Sequence, residues 1–264
     1  MDGASHQTDS LSPRPARHGI GRSYLTSVLS GVRQVHDKRA PSAPDWLAAE
    51  SSRCIGVLRE APAREAAAYF DRLVQRGVSY EYMFETLFPQ IAIDMGEMWN
   101  CDTVSFADLS ICFSSLQIVM HGLRDGYVRL DGVPARGSLI IAGLESEPHL
   151  FGPILLSARL ERLGYTVLML GGATPETLAI EAARRSHLCV GLSCGTASAR
   201  KDLAAALAAI RSASSAPIIV GGSATAPGAS FQQHSADVDL WGPSFEEFTA
   251  YLETRSANQL QNVN

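Results

Sequence analysis

A histidine stands in a turn between an apolar run and a helix-like segment, in LIIAGLESEPHLFGPILLSARLERLGY (139–165). The histidine is His149; Glu147 lies two positions before it, and Gly152 opens the helix-like segment. Ligands of α/β proteins bind beyond the carboxyl ends of the strands, where such turns lie. His149 is therefore a candidate ligand-contacting residue.

The elements that position this turn belong to an alternating series that begins at Gly137. Strand-like segments (SLIIAG, YTVLMLG, LCVGLSC, PIIVGG and VDLWG) alternate with helix-like ones, including a short helix near SFQQHS. The strands are continuous apolar runs, which is typical of parallel strands covered on both faces. Five such units predict a doubly wound, flavodoxin-like parallel sheet.

The loops that follow these strands should meet at one edge of the sheet, and they are rich in glycine and hydroxyl groups. Glycine lets a large, flat ligand approach the backbone closely. The stretch has no GxGxxG, no GxxxxGK[ST] and no GxSxG, so dinucleotide, P-loop and serine-hydrolase sites are not favoured. Besides Glu147, His149 and Gly152, the candidate ligand-binding residues at this edge are Ser193, Gly195, Thr196, Gly221, Gly222, Trp241 and Gly242.

The preceding part of the chain, from Asp45 to about Tyr127, has helical periodicity throughout. Asp45, Ser79 and Ser105 are predicted to cap helices, and apolar residues recur at steps of three and four. Pro89 falls inside the third helical segment and predicts a kink there. Four helices of this length predict a small bundle.

Composition and charge limit the remaining classes of function. A net charge of −5 argues against a broad basic surface that binds nucleic acid. No run of about 18 apolar residues predicts a membrane span, and no signal peptide is expected. Five cysteines without a CxxC favour a reducing, cytoplasmic location.

The sequence predicts four divisions of the chain: a flexible arm (1–44) with a short amphipathic helix over 22–37, a four-helix cap (45–133), a sheet domain (134–257) and a tail (258–264).

The string Glu147-Pro148-His149-Leu150-Phe151-Gly152 resembles the DxHxxG signature of cobalamin-binding domains, with glutamate in place of aspartate. The resemblance implies that His149 ligates cobalt from below and that Glu147 holds its other ring nitrogen. It also implies that Gly152 gives the nucleotide tail of the cofactor room beside the sheet. Ser193 and the pair Gly221-Gly222 match the second and third motifs of the family.

The helical part carries the same resemblance. MGEMWNCDTVSFADLS (95–110) is similar to the segment of the helical cap whose tryptophan covers the upper face of cobalamin, which implies that role for Trp99. Light-dependent repressors of this type carry a Glu–His pair where this chain has Leu109 and Ser110. The cap, the ExH loop and the long arm most resemble the AerR/PpaA antirepressors of photosynthesis genes. The expected fold is a helical bundle cap followed by a doubly wound, Rossmann-like cobalamin-binding domain.

Two functions follow from the resemblance. The first is a photoreceptor without enzymatic turnover, in which hydroxo-, methyl- or adenosylcobalamin responds to light and the chain acts on a partner repressor. That partner is of the PpsR/CrtJ type, alone or on its DNA, with weak or no direct DNA binding by this chain. The alternative is a corrinoid carrier subunit of a methyltransferase. Heme is a second candidate cofactor.

Overall fold

The computed structural model describes residues 45–147, 150–222, 225 and 237–261. The predicted helix over 22–37, the short helix near SFQQHS and residue His149 lie outside these ranges. A helical part comes first in the chain, followed by a parallel sheet with helices, which confirms the predicted fold class.

The helical part consists of α1 (Asp45–Glu60), α2 (Ala63–Gln75), α3 (Tyr80–Tyr82), a π-helical turn (Met83–Leu87), α4 (Phe88–Asn100) and α5 (Phe106–Val128). Ser79 caps α3 by accepting a hydrogen bond from the Tyr82 N–H. Ser105 and Asp108 form a capping box at the start of α5. Both caps were predicted from the sequence, because Ser and Asp side chains satisfy the free N–H groups of a first helical turn.

A π-helical turn lies just before Pro89, where the sequence predicts a kink. The Phe88 N–H bonds to the Met83 carbonyl, five residues back. Proline has no N–H to offer to the preceding turn. The chain therefore stays helical from α3 through the π turn to α4, although Pro89 donates no backbone hydrogen bond.

The second part of the chain contains β1 (Gly137–Leu144), α6 (Phe151–Arg162), β2 (Tyr165–Ala173), α7 (Pro175–Ala183) and β3 (Cys189–Ser193). It continues with α8 (Ala197–Ala213), β4 (Ile218–Gly221), β5 (Leu240–Trp241) and α9 (Phe245–Gln261). Helix α9 runs to Gln261 and so includes residues 258–261, which were predicted to belong to the tail. The strands are parallel in the order β2-β1-β3-β4-β5, so the order reverses between β1 and β3.

Among the described residues, three apolar clusters form the core. One lies inside the bundle and also includes Phe151, Leu155 and Ala158 of α6. The second covers the face of the sheet against α7 and α8, and the third covers the face against α6 and α9. Helix α6 therefore packs against both the sheet and the bundle.

Helix α5 is the one helix among the described residues that is long and apolar enough to cross a membrane by length and composition. Its buried positions include Leu109, Phe113, Leu116 and Leu123, which belong to the bundle core. This burial is typical of the central helix of a bundle.

Candidate functional site

A cavity of about 80 Å³ opens where the strand order reverses, between the sheet and helices α6 and α9. This is the place at which doubly wound sheets bind ligands. Four of the predicted residues line it together: Gly152, Ser193, Gly221 and Gly222. The rest of its wall is mostly apolar and comes from Ile141, Pro153, Leu156, Gly191, Leu192, Ile219, Pro243, Ser244, Phe245 and Phe248.

The glycines of this cavity have different roles. A Cβ atom on Gly152 or on Gly221 would meet nothing within 4 Å, so the absent side chains leave open space in the cavity wall. Gly222 has a φ of +100°, and a Cβ there would lie 2.6 Å from the Cys194 carbonyl oxygen. The backbone conformation and the contact with Cys194 therefore require glycine at position 222. At positions 152 and 221, the absence of a side chain leaves space that a ligand could occupy.

Glu147 fastens the loop after β1 to the loop after β3. Its side chain is buried, and its Oε2 accepts hydrogen bonds from the backbone N–H groups of Gly195, at 2.5 Å, and Thr196, at 3.1 Å. Thr196 in turn caps α8 by accepting from the Ala199 N–H. The predicted residues Glu147, Gly195 and Thr196 therefore form one connected structure at the carboxyl edge of the sheet.

Leu150 covers the ends of β1 and β2, a role that its sequence did not predict. A Cβ atom on Gly143 or on Gly171 would lie 2.7 Å from a Leu150 methyl group. The two glycines make room for this leucine at the carboxyl edge. Leu150 directly follows His149 in the sequence and is the first described residue after it.

The structure places Trp99 in the bundle, at the end of α4. It is half-buried, packs against the bundle core and makes an edge contact with Phe106, a residue that is 57% exposed. Leu109 is fully buried in the core, and the Ser110 hydroxyl donates to the Phe106 carbonyl. The two positions that correspond to a Glu–His pair in light-dependent repressors thus have structural roles within the cap.

Trp241 was predicted to follow the fifth strand, but it is the last residue of β5, and Gly242 comes directly after it. Trp241 also lies away from the cavity. Its side chain packs against the apolar cluster on the α7 and α8 face, whereas the cavity lies on the α6 and α9 face. Gly242 has a φ of +60°, and a Cβ there would contact Thr225 at 3.0 Å. The structure therefore does not bring these two residues together with Gly152 and Ser193.

Sequence reasoning missed the aromatic wall that α9 contributes. Phe245, Phe248 and Leu252 recur at helical spacing, which indicates an apolar face but does not show that part of this face borders a cavity. It also missed Arg159, a buried cation whose guanidinium carbon lies 3.8 Å from the centre of the Phe245 ring. Among the described residues, no group of three His, Cys, Asp or Glu side chains has a metal-binding arrangement.

Comparisons with known proteins agree with this architecture. No protein-family model matches the chain. The monomethylamine corrinoid protein of Methanosarcina barkeri superposes with a TM-score of 0.60 at 14% identity, over 76% of this chain and 96% of that protein. At this identity, the match shows that the two proteins share a fold.

One curated relative is described by its genetic location. An uncharacterized 20.5 kDa protein in the bchF-crtJ intergenic region of Rhodobacter capsulatus is 30% identical over 100 residues, or 37% of this chain. The chain spans about half the length of that relative, 52%.

Proposed function

We propose that this chain binds cobalamin at the carboxyl edge of its sheet and acts, without enzymatic turnover, as a light-responsive antirepressor. The observation that carries this proposal is the meeting of Gly152, Ser193, Gly221 and Gly222 in one cavity at the reversal of strand order. These residues lie at three different junctions of strand and helix: Gly152 in the first turn of α6, Ser193 at the end of β3, and Gly221-Gly222 at the end of β4.

The residues of the cavity fit a corrinoid with a nucleotide tail. The space left by Gly152 and Gly221 would admit the tail beside the sheet, and the Ser193 hydroxyl offers a hydrogen-bonding group within a mostly apolar wall. His149 would bind cobalt from below, on a loop held by Glu147 before it and Leu150 after it. Trp99, with the exposed Phe106 ring beside it, would cover the upper face. When bound, cobalamin would supply visible absorption and, in its methyl and adenosyl forms, an upper cobalt–carbon bond that light breaks.

The regulatory part of the proposal rests on two observations. The cap and the ExH loop resemble the AerR/PpaA antirepressors, and the curated relative lies beside crtJ. A repressor of the PpsR/CrtJ type is the partner proposed from that neighbourhood. With a net charge of −5, the chain is expected to bind this protein, in the cytoplasm, rather than DNA alone.

The first experiment is reconstitution of the full chain with hydroxo-, methyl- or adenosylcobalamin in the dark, followed by removal of free corrinoid. We expect the absorption spectrum to show retained corrinoid, and blue light to change it for at least one alkyl form. His149→Ala should shift the spectrum of the bound form. Loss of all three corrinoids during desalting would overturn the cofactor proposal, and heme retention under the same conditions would favour heme.

The second experiment measures the affinity of a PpsR/CrtJ-type repressor for its DNA with and without the loaded chain. We expect the loaded chain to lower this affinity, by a factor that differs between dark and illuminated samples.

The alternative function, a corrinoid carrier, is favoured by the fold shared with the monomethylamine corrinoid protein. Methyl transfer to a thiol through a partner enzyme, with no effect on the repressor, would support the carrier and contradict the antirepressor.

A further inference from the structure

Arg159, in the middle of α6, is a charged residue in an unusual position. Its side chain is only 8% exposed, and its Nε lies 2.9 Å from Glu85 Oε2. Its guanidinium carbon lies 3.8 Å from the centre of the Phe245 ring. A buried arginine is kept by an ion pair, by aromatic stacking, or by both. Arg159 has both, from two different parts of the molecule.

The two partners of Arg159 belong to structures with separate roles. Phe245 opens α9 and lines the cavity. Glu85 lies in the π-helical turn of the cap, and it also accepts a hydrogen bond from the Tyr127 hydroxyl. Tyr127 is fully buried and stacks on Phe84 at 4.3 Å between ring centres. Arg159 therefore forms a direct connection between the wall of the cavity and the centre of the cap.

π-Helical turns are rare and are found frequently at functional sites. The turn at Met83–Leu87 is followed by a hydrogen bond from the Phe88 N–H to the Met83 carbonyl, and side-chain contacts join the turn to the rest of the molecule. Glu85 supplies two of these contacts, to Arg159 and to Tyr127. A shift of Phe245 would move the guanidinium and with it the carboxylate of Glu85.

We infer that Arg159 is a positioning residue that holds Phe245 as a wall of the cavity and couples occupation of the cavity to the π-helical turn of the cap. The ligand side of this inference rests on the proposed function, since it takes the occupant to be the nucleotide tail of a corrinoid. The mechanical side, from Phe245 to Glu85, depends on the protein alone. The two sides are therefore tested separately.

The protein side is tested by amide hydrogen exchange of the unliganded full chain. Phe245→Leu keeps the Arg159–Glu85 ion pair but removes the ring beneath the guanidinium. We expect exchange across Met83–Leu87 to become about tenfold faster, within the range that loss of a buried cation–π contact allows. Phe248→Leu is the matched control, because Phe248 lines the same cavity on the same helix. Equal exchange at Met83–Leu87 in the two variants, after correction for global stability, would overturn the inference.

The ligand side compares cobalamin with cobinamide, the corrinoid that lacks the nucleotide tail. In the native chain, cobalamin should protect Met83–Leu87 more than cobinamide does, because only cobalamin fills the cavity. Arg159→Met should abolish this difference. Arg124→Met should retain it, because the Arg124–Glu161 ion pair joins α5 to α6 without involving a residue that lines the cavity.

Equal protection by the two bound corrinoids in the native chain would overturn the inference while leaving corrinoid binding intact. If neither corrinoid binds, the proposed function fails, and the comparison of Phe245→Leu with Phe248→Leu still decides whether the cavity wall and the cap are coupled.

Discussion

Two adjacent glycines at the end of β4 have different surroundings, so the same substitution at each should have opposite effects. A Cβ on Gly221 would enter open space in the cavity wall, whereas a Cβ on Gly222 would lie 2.6 Å from the Cys194 carbonyl oxygen. Gly221→Ala should therefore fold normally and bind ligand poorly. Gly222→Ala should be destabilised before any ligand is added.

The magnitudes follow from these surroundings. Alanine in a strand is favoured over glycine by about 0.5–1 kcal/mol, so Gly221→Ala should be at least as stable as the native chain. A methyl group that overfills a closely fitting site costs about 1–3 kcal/mol, which weakens corrinoid binding by about 5- to 140-fold. At Gly222, a φ of +100° and the contact with Cys194 act together. The left-handed backbone should cost about 1–2 kcal/mol and the clash about 1–3 kcal/mol. Together they should lower the free energy of unfolding by roughly 2–5 kcal/mol.

Thermal unfolding of the unliganded variants measures the first effect, and absorption titration with hydroxocobalamin measures the second. The midpoint for Gly222→Ala should fall by roughly 4 °C or more, since each kcal/mol shifts a domain of this size by about 2–4 °C. Native affinity in Gly221→Ala would refute the assignment of this cavity to the ligand. Native stability in Gly222→Ala would refute the role given to the contact with Cys194.

Three further predictions concern single side chains. Glu147→Ala should lower the free energy of unfolding, measured in urea, by about 1–3 kcal/mol, because two backbone N–H groups lose their acceptor. Glu147→Gln should lower it less, and equal reductions in the two variants would contradict this prediction. Hydrogen bonds from Ser105 hold the pKa of Asp108 at about 2, so its stabilising effect is full above its ordinary pKa of 3.8 and disappears as the pH falls through about 2. Asp108→Asn should remove that part of the acid transition, and an unchanged acid profile would contradict the assignment. A thiol reagent at pH 8 should label only the exposed Cys101 in the native chain, since burial raises the pKa of Cys194 to about 12; early labelling of Cys194 would show that its loop opens.

Much of the local structure could be predicted because it depends on neighbours in sequence. The Ser79 and Ser105 side chains each accept a hydrogen bond from an N–H group three residues later, so these caps can be recognised from a short stretch of sequence. The buried strands can be recognised from their continuous apolar runs. The meeting of Gly152, Ser193 and Gly221 could be expected as well, because the carboxyl ends of parallel strands share one edge.

The remaining features depend on contacts between distant parts of the chain. Arg159 lies in the segment ARLERLG, which has the pattern of a solvated helix face, and only the packing of α9 and the cap around it accounts for its burial. The sequence predicts a place for Trp241 in the site because this residue lies near the carboxyl end of a strand-like segment. The direction of its side chain depends on strand pleating, which a two-residue strand does not reveal.

Helix α6 has a consequence for how proteins of this architecture can be recombined. Phe151, Leu155 and Ala158 fill the interior of the bundle although they follow β1 in the chain. A graft of the bundle alone onto another sheet would leave a hole in its centre where these side chains belong. The exchangeable module is therefore discontinuous in sequence, and a working chimera should transplant residues 151–162 together with the cap that they complete.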